Sequence, residues 1–360
     1  MPNEIMARSP YIIEINETGQ DGSMLRLYLW NGLGSPPASP TYTFTKNIPS
    51  ALQPANYYNI SPYIREYISN LYNQNVYNTI GATETDNYVN VRVKRYKLVS
   101  GVYTLLDEID YYGWDGWSYY NPAENLGQQT PFLDAKTYYY LYDSNANPAT
   151  DEYARAGFIT LDNGSWDAVY TNLRTGATWA PTITGFGTAL YHDIPRVYPT
   201  WYADGNKLEI FDNISNTLWA TYYFKPIQEC KYDPYTIDFV NKYGAWQREF
   251  FFKASYDNVE IKTSNYQLMT PNPLLFVQER GTFKDFNING KQTIKLNTGF
   301  VKEDFKENLS QLMLSERILI NGLPVTIKTK NIDRTKQINN KMINYTIEFE
   351  MAFDVINNIV

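Results

Sequence analysis

Carboxylates are the most plentiful reactive groups in this chain. Asp115, Asp134, Asp167 and Asp204 lie in one acidic stretch, and two such groups flanking a sugar linkage would make a glycosidase. Their spacing fixes no pair, and 38 Asp and Glu supply such candidates by coincidence, so a solvated acidic face accounts for them equally well. The single histidine, His192, stands beside Asp193 and reads as a loop residue; one imidazole excludes metal sites and proton relays that need two. The lone Cys230 forms no internal disulfide, and between Glu229 and Lys231 at an expected domain junction it makes a poor nucleophile. There is no Gly-x-Ser-x-Gly elbow, P-loop or Rossmann fingerprint, and the glycosylation sequons at Asn59 and Asn344 are what an Asn-rich chain produces by chance. No catalytic residue, metal ligand or cofactor is expected, and the chain reads as a non-enzyme.

Tyr111-Tyr-Gly-Trp-Asp-Gly-Trp-Ser-Tyr-Tyr120 admits a different chemistry. Two Trp and four Tyr around glycines suit a sugar-stacking platform, centred on Trp114 and Trp117. Against this stands a hairpin whose aromatics pack on the core or on a neighbouring subunit, which is the favoured reading because the chain is aromatic everywhere, with 33 Tyr, 17 Phe and 8 Trp in 360 residues. Aromatic residues with a polar handle give large contact area while tolerating water at one end, which suits β-sheets that meet other surfaces. Tyr111, Tyr112, Trp114, Trp117, Tyr119 and Tyr120 are therefore candidate subunit contacts.

The elements that would position these residues are mostly strands. The length exceeds what one core serves, and three domains are expected. Residues 1–100 form a β-sandwich, with Leu25, Leu27 and Leu29 alternating against Met24, Arg26, Tyr28 and Trp30, and Val89, Val91 and Val93 alternating within a strand over 88–98. An inserted helix is expected over 62–71, capped by Ser61, begun by Pro62 and turning Ile64, Ile68 and Leu71 to one face. Residues 101–225 read as a second, acidic and aromatic β-domain, punctuated by Asp162-Asn-Gly, Ala203-Asp-Gly-Asn and a Pro/Gly-rich stretch from Ala180 to Gly187. Residues 226–360 read as an α+β domain. In it Asn289-Gly290 and Asn321-Gly322 signal hairpins, a helix over 302–314 aligns Val301, Phe305, Leu309 and Leu312, and the last strand alternates Tyr345, Ile347, Phe349, Met351 and Phe353 with Thr346, Glu348, Glu350 and Ala352. The outward Thr346, Glu348 and Glu350 are further candidate contacts. The fold class is mostly β, a multidomain β-sandwich (Ig-like) architecture with two short amphipathic helices.

Net charge is -7, and it is unevenly placed: residues 101–225 hold 6 Lys and Arg against 15 Asp and Glu, a balance of -9. Phosphate binding needs clustered cations, so the middle domain does not grip nucleic acid; it suits a wall past which DNA slides. Mean hydropathy is -0.45 and no apolar run approaches the roughly 20 residues that span a bilayer, so no membrane insertion is expected. The opening Met1 to Arg8 lacks the basic start and apolar stretch of a secretory signal, which points to assembly in the cytosol.

Two segments carry a resemblance. Arg8-Ser-Pro-Tyr-Ile-Ile-Glu-Ile, Ser39-Pro-Thr-Tyr-Thr-Phe-Thr-Lys, Ile48-Pro-Ser and Asn59-Ile-Ser-Pro-Tyr-Ile-Arg-Glu-Tyr-Ile resemble a recurring N-terminal module in virion proteins of crAss-like Bacteroidetes podophages. Lys295-Leu-Asn-Thr-Gly-Phe-Val, Gln311-Leu-Met-Leu-Ser-Glu and Ile343-Asn-Tyr-Thr-Ile-Glu-Phe-Glu-Met-Ala-Phe resemble the ending of the same proteins. The resemblance implies a structural subunit of the short tail barrel or head-tail connector, in a roughly dodecameric ring that contacts portal or neighbouring tail rings and lets phage DNA pass without specific contacts. It places the protein in the virion tail or neck, assembled in the host cytoplasm, and carries over no enzymatic residue. The alternative is a carbohydrate-binding tail module or glycan depolymerase built on the Trp114 and Trp117 segment.

Overall fold

The computed structural model describes residues 3–32, 34–48, 50, 52–69, 82–83, 88–118, 133–145, 155–160, 166–180, 190–195, 201–212, 215–229, 231–269, 281–331 and 342–356. The protein is mostly β, with several sheets and two helices among these residues, a multidomain β-sandwich-like architecture. The chain gathers into two compact units. The first comprises residues 1–228, 238–249 and 304–315; the second comprises 229–237, 250–303 and 316–360.

The first unit opens with β1 (Asn3–Met6), β2 (Ile12–Ile15), β3 (Gly22–Trp30), β4 (Tyr42–Asn47), β5 (Asn56–Asn59), α1 (Ser61–Tyr67), β6 (Ala82–Thr83), β7 (Tyr88–Val99) and β8 (Val102–Trp114). A five-stranded sheet in the order β1-β8-β7-β3-β4 forms one layer. All its pairings are antiparallel except β1 with β8, which is parallel. One face presents Leu25, Leu27, Leu29, Val89, Val91 and Val93, as the period-two pattern requires. That face packs on a second layer made by the β2–β5 pair and α1, through Ile13, Ile15, Tyr58, Ile60 and Ile64. Each such fully buried aliphatic side chain contributes about 1.5–3 kcal/mol. Met24 and Tyr28, expected on a wet face, are buried too. The register of β7 on β8 is held by cross-strand pairs of opposite charge: Arg92 with Asp110 at 2.7 Å and Lys94 with Glu108 at 2.7 Å on the outer face, and Arg95 with Asp107 on the other face, where Arg95 also donates to the Glu14 carbonyl at 3.0 Å.

Local details depart from the sequence pattern for identifiable reasons. Helix α1 stops at Tyr67, and Ile68 is extended yet still buried; Leu71 lies outside the described residues. Ser61 is not the cap. Its hydroxyl donates to the Ser9 carbonyl at 2.6 Å, while Asn59 Oδ1 accepts the Ser61 amide at 3.3 Å. Residue 100 sits in the turn of the β7–β8 hairpin, with Ser100 and Gly101 at positive φ, so the expected division between the first two domains falls inside one ladder. Gly113 is where α1 meets the sheet: a Cβ there would stand 2.2 Å from Ile64 Cγ2 and 3.0 Å from Val89 Cγ1. Gly113→Ala is expected to cost about 1–3 kcal/mol through overpacking, seen as a lower melting temperature in a thermal scan.

The chain continues through β9 (Thr137–Leu141), β10 (Arg155–Thr160), β11 (Trp166–Asn172), β12 (Thr178–Trp179), β13 (Leu190–Pro195), β14 (Asn206–Asp212) and β15 (Leu218–Ile227). These form a five-stranded sheet, β12-β11-β14-β15-β9, and a three-stranded sheet, β10-β13-β6. Asp162-Asn-Gly and most of the Ala180 to Gly187 stretch lie outside the described residues, whereas the Ala203-Asp-Gly-Asn turn leads into β14 with Gly205 at a φ of 83°. Two later pieces belong to this unit. One is the 238–249 stretch, which holds the end of β16 (Tyr235–Val240) and the start of β17 (Trp246–Phe251); the other holds α2 (Phe305–Leu314). α2 begins three residues later than expected, because Val301 and Lys302 are still strand, and it buries Phe305, Asn308, Leu309, Gln311 and Leu312.

The second unit holds the remaining strands, β18 (Tyr256–Gln267), β19 (Phe283–Lys302), β20 (Ile318–Ile320), β21 (Leu323–Ile327) and β22 (Met342–Met351). They hydrogen-bond in the order β20-β21-β22-β19-β18. Asn321 and Gly322, at φ 48° and 81°, make the tight β20–β21 turn, as their sequence signals. Asn289-Gly290 makes no hairpin: both residues pair inside β19, opposite Lys262 and Ile261. Packing over Gly290 is close, since a Cβ would lie 3.2 Å from Val259 Cγ1 and 3.4 Å from Val355 Cγ2. On β22, Tyr345, Ile347, Phe349 and Met351 are buried as the alternation implies; Phe353 lies past the strand end and is exposed.

Candidate assembly surface

Most residues that chemistry would single out lie in the interior or in separate pairings. Trp114 ends β8 with no exposed surface, Trp117 is 9% exposed, and Tyr111 and Tyr112 are buried. Tyr88 holds the Trp114 ring at a centroid distance of 5.1 Å and Tyr112 at 6.1 Å. The Trp117 amide donates to the Lys242 carbonyl at 2.6 Å. The segment ends a core strand rather than forming a hairpin of its own, and these four side chains pack in the core, one of the two packings expected of them, which leaves no open ring face for a sugar. Tyr119 and Tyr120 lie outside the described residues.

The carboxylates belong to separate elements. Asp115 follows β8 and lies 3.5 Å from Arg65. Asp134 precedes β9 and takes Lys242 at 2.9 Å, Gln311 at 2.7 Å and Tyr243 Oη at 2.7 Å. Asp167 is exposed in β11. Asp204, in the turn before β14, accepts from Arg174 at 2.6 Å and Asn172 at 2.9 Å, contacts that hold its pKa below the usual carboxylate range. His192 is in β13, opposite Phe158 and Thr83, and Cys230 lies outside the described residues. Among the described residues no group of three or more His, Cys, Asp or Glu forms a metal-ligand set, and no helix is long and apolar enough to cross a membrane.

The titratable groups with the strongest environmental shifts are structural. Glu249, buried against α2, accepts from Gln247 Nε2 at 2.8 Å and Asn308 Nδ2 at 2.6 Å through one oxygen, and burial pushes its pKa up to about 8. Glu4 in β1 is buried with neither oxygen hydrogen-bonded, and its pKa rises well above the usual value for the same reason. Neither lies in a set of groups arranged for proton transfer.

The surface that stands out is the β18–β19 ribbon. All twelve residues of β18 are exposed, as are the first six of β19. Tyr256 is 69%, Ile261 66% and Phe283 67% exposed, and Val259, Tyr266, Phe286 and Ile288 add to the same ribbon. β18 is the outermost strand in its sheet order, so its outer row of N–H and C=O groups has no ladder partner among the described residues. Natural sheets protect such edges because an exposed one is a template for another strand. A bulge at Asn287 and Ile288, with Asn287 at a φ of 50°, sets two residues of β19 against Thr263. The extra residue is on β19, so the free row of β18 continues unbroken.

The outward face of β22 is of another kind. Thr346 is exposed and takes Asn297 Nδ2 at 3.4 Å; Glu348 and Glu350, partly exposed, pair with Lys328 at 3.3 Å and Lys291 at 3.1 Å. It is a polar ladder at the surface, where the alternation put it. In the sequence the ribbon is masked by Asn289-Gly290, whose composition signals a turn where β19 runs on. The signal for it was an eleven-residue run with no Gly or Pro that is bounded by Tyr256 and Tyr266 and has Val259 and Ile261 near its centre.

No protein-family model matches the sequence, and no curated protein matches it.

Proposed function

We propose that the protein is a structural subunit of a bacteriophage virion, a ring-forming component of the short tail barrel or head-tail connector through which DNA passes. The observation that carries this reading is the exposed, apolar β18–β19 ribbon in a chain whose conspicuous aromatic cluster is spent on its core. Exposed strands with aromatic and β-branched side chains are surfaces for protein contact. The terminal segments that resemble podophage virion proteins supply the identity, and the balance of -9 over residues 101–225 supports a lumen that DNA phosphates do not adhere to. A ring needs two different surfaces on each subunit that meet heterologously and close by rotation; the ribbon is one and the polar face of β22 is a candidate for the other. The sugar-binding alternative loses its support, since Trp114 and Trp117 are enclosed.

Native mass spectrometry of the purified chain, alone and mixed with portal and tail proteins, tests the reading. A discrete closed oligomer of many copies, formed alone or with those partners, is the expected result. A stable monomer or trimer that ignores every virion partner overturns it.

A further inference from the structure

The order of residues in β18 is mirrored about its centre. Tyr256-Asp-Asn-Val-Glu-Ile-Lys-Thr-Ser-Asn-Tyr266 places Glu260 and Lys262 on either side of Ile261, then Val259 and Thr263, then Asn258 and Ser264, and finally Tyr256 and Tyr266 at matching distances. We infer that β18 pairs antiparallel with β18 of a second copy, across a two-fold axis through Ile261, joining two sheets into one.

In that register no position meets a like charge, and the central and outermost positions meet suitable partners. Glu260 opposes Lys262 of the second copy and Lys262 opposes its Glu260, giving two pairs of opposite charge. On the same face Tyr256 opposes Tyr266 of the second copy, twice. On the other face Ile261 opposes itself, flanked on each side by a Val259–Thr263 pair. Aromatic, β-branched and opposite-charge pairs are the combinations that stabilise antiparallel strands, whereas directly opposed like charges destabilise them.

Neighbouring registers are worse. A slip of one residue sets Ile261 opposite a charge. A slip of two sets Glu260 opposite Glu260 or Lys262 opposite Lys262. Among the described residues neither Glu260 nor Lys262 has an ion-pair partner in its own chain; Lys291, which faces Glu260 across the ladder, pairs with Glu350. The charges are therefore available to the second copy, and the exposed edge supplies the backbone groups.

A two-fold contact joins copies in twos and does not close a ring. The pairing takes up the free edge of β18, so a ring would then close through the faces of the ribbon and of β22 rather than through that edge; variants that lose self-pairing yet still form a closed oligomer, or the reverse, tell the two readings apart.

The test uses the full chain and charge exchange. Glu260→Lys leaves two lysines facing two lysines across the axis, and Lys262→Glu leaves glutamates facing glutamates. Each variant alone is expected to weaken self-pairing by roughly tenfold or more, read by sedimentation equilibrium with circular dichroism confirming the fold. An equimolar mixture of the two variants restores opposite charges at both positions, and heterodimers form in native mass spectra. Register is checked by oxidation in a Cys230→Ser background. Ile261→Cys cross-links two chains, because directly opposed residues lie about 4.5–5.5 Å apart. Val259→Cys does not, because its counterpart lies four residues away, about 13 Å along the strand. Wild-type protein without self-pairing at high concentration, a mixture no more associated than its components, or cross-linking equal at both cysteines would each overturn the inference.

Discussion

Arg248→Ala is expected to destabilise the first unit by about 3–5 kcal/mol, seen as an unfolding transition shifted to much lower urea concentration. Arg248 and Asp238, both on the 238–249 stretch, are almost wholly buried and joined by two parallel hydrogen bonds: Nε donates to Oδ1 at 2.8 Å and Nη2 to Oδ2 at 2.7 Å. Truncating the guanidinium removes the cation that faces a carboxylate with no exposed surface. The size of the effect comes from leaving that buried charge without its counter-ion rather than from the net value of the pair, whose attraction is largely offset by its desolvation. The paired replacement Asp238→Leu with Arg248→Met is accordingly expected to recover most of the loss. A double variant as unstable as Arg248→Ala alone would mean that the site depends on those particular hydrogen bonds.

The second large effect is a fall in stability with rising pH. Glu249 has its folded-state pKa raised by burial to about 8, against an ordinary value of 4.5. Between those values the folded chain holds a proton that the unfolded chain has released. Stability is therefore fully present below about pH 4.5, falls by about 1.4 kcal/mol per pH unit as pH rises through the window, and levels off above about 8. Glu4 shifts in the same direction and adds to the slope. Glu249→Gln keeps an oxygen for Gln247 and Asn308 to donate to and carries no titrating proton, so it is expected to be close to wild type at pH 5 and more stable at pH 8. Urea titrations of both proteins at the two pH values check this; equal slopes would show that Glu249 stays ionised.

Strand content was readable because period-two alternation leaves its mark wherever one face is buried: Leu25, Leu27 and Leu29, Val89 to Val93, and Tyr345 to Met351 all fell where their pattern put them. The Asn321-Gly322 turn was readable for the same local reason, both residues accepting positive φ. Failures occurred where distant chain decides. Asn289-Gly290 has the turn composition, yet both residues pair with β18 and the Val355 amide donates to the Gly290 carbonyl at 2.8 Å, partners that only the fold reveals. Ser61 has the cap chemistry, yet Ser9, far away in sequence, claims its hydroxyl. The aromatic run at 111–117 left core packing and subunit contact open, because tyrosine and tryptophan serve both surfaces and cores and composition alone does not say which. Strand β18 escaped because all twelve of its residues are exposed, so it leaves no contrast between a buried and a wet face.

The first unit is made from three separate stretches of chain, the last of which ends at residue 315. On the ribosome, where synthesis proceeds at about 5–20 residues per second, Gln228 emerges on the order of ten seconds before α2. Throughout that interval the sheets already made lack Phe305, whose ring meets Tyr139, and Asn308, which serves Glu249. A nascent chain in this state exposes apolar surface and strand edges, so the wait for α2 is an interval of exposure to aggregation that the stability of the finished fold does not shorten.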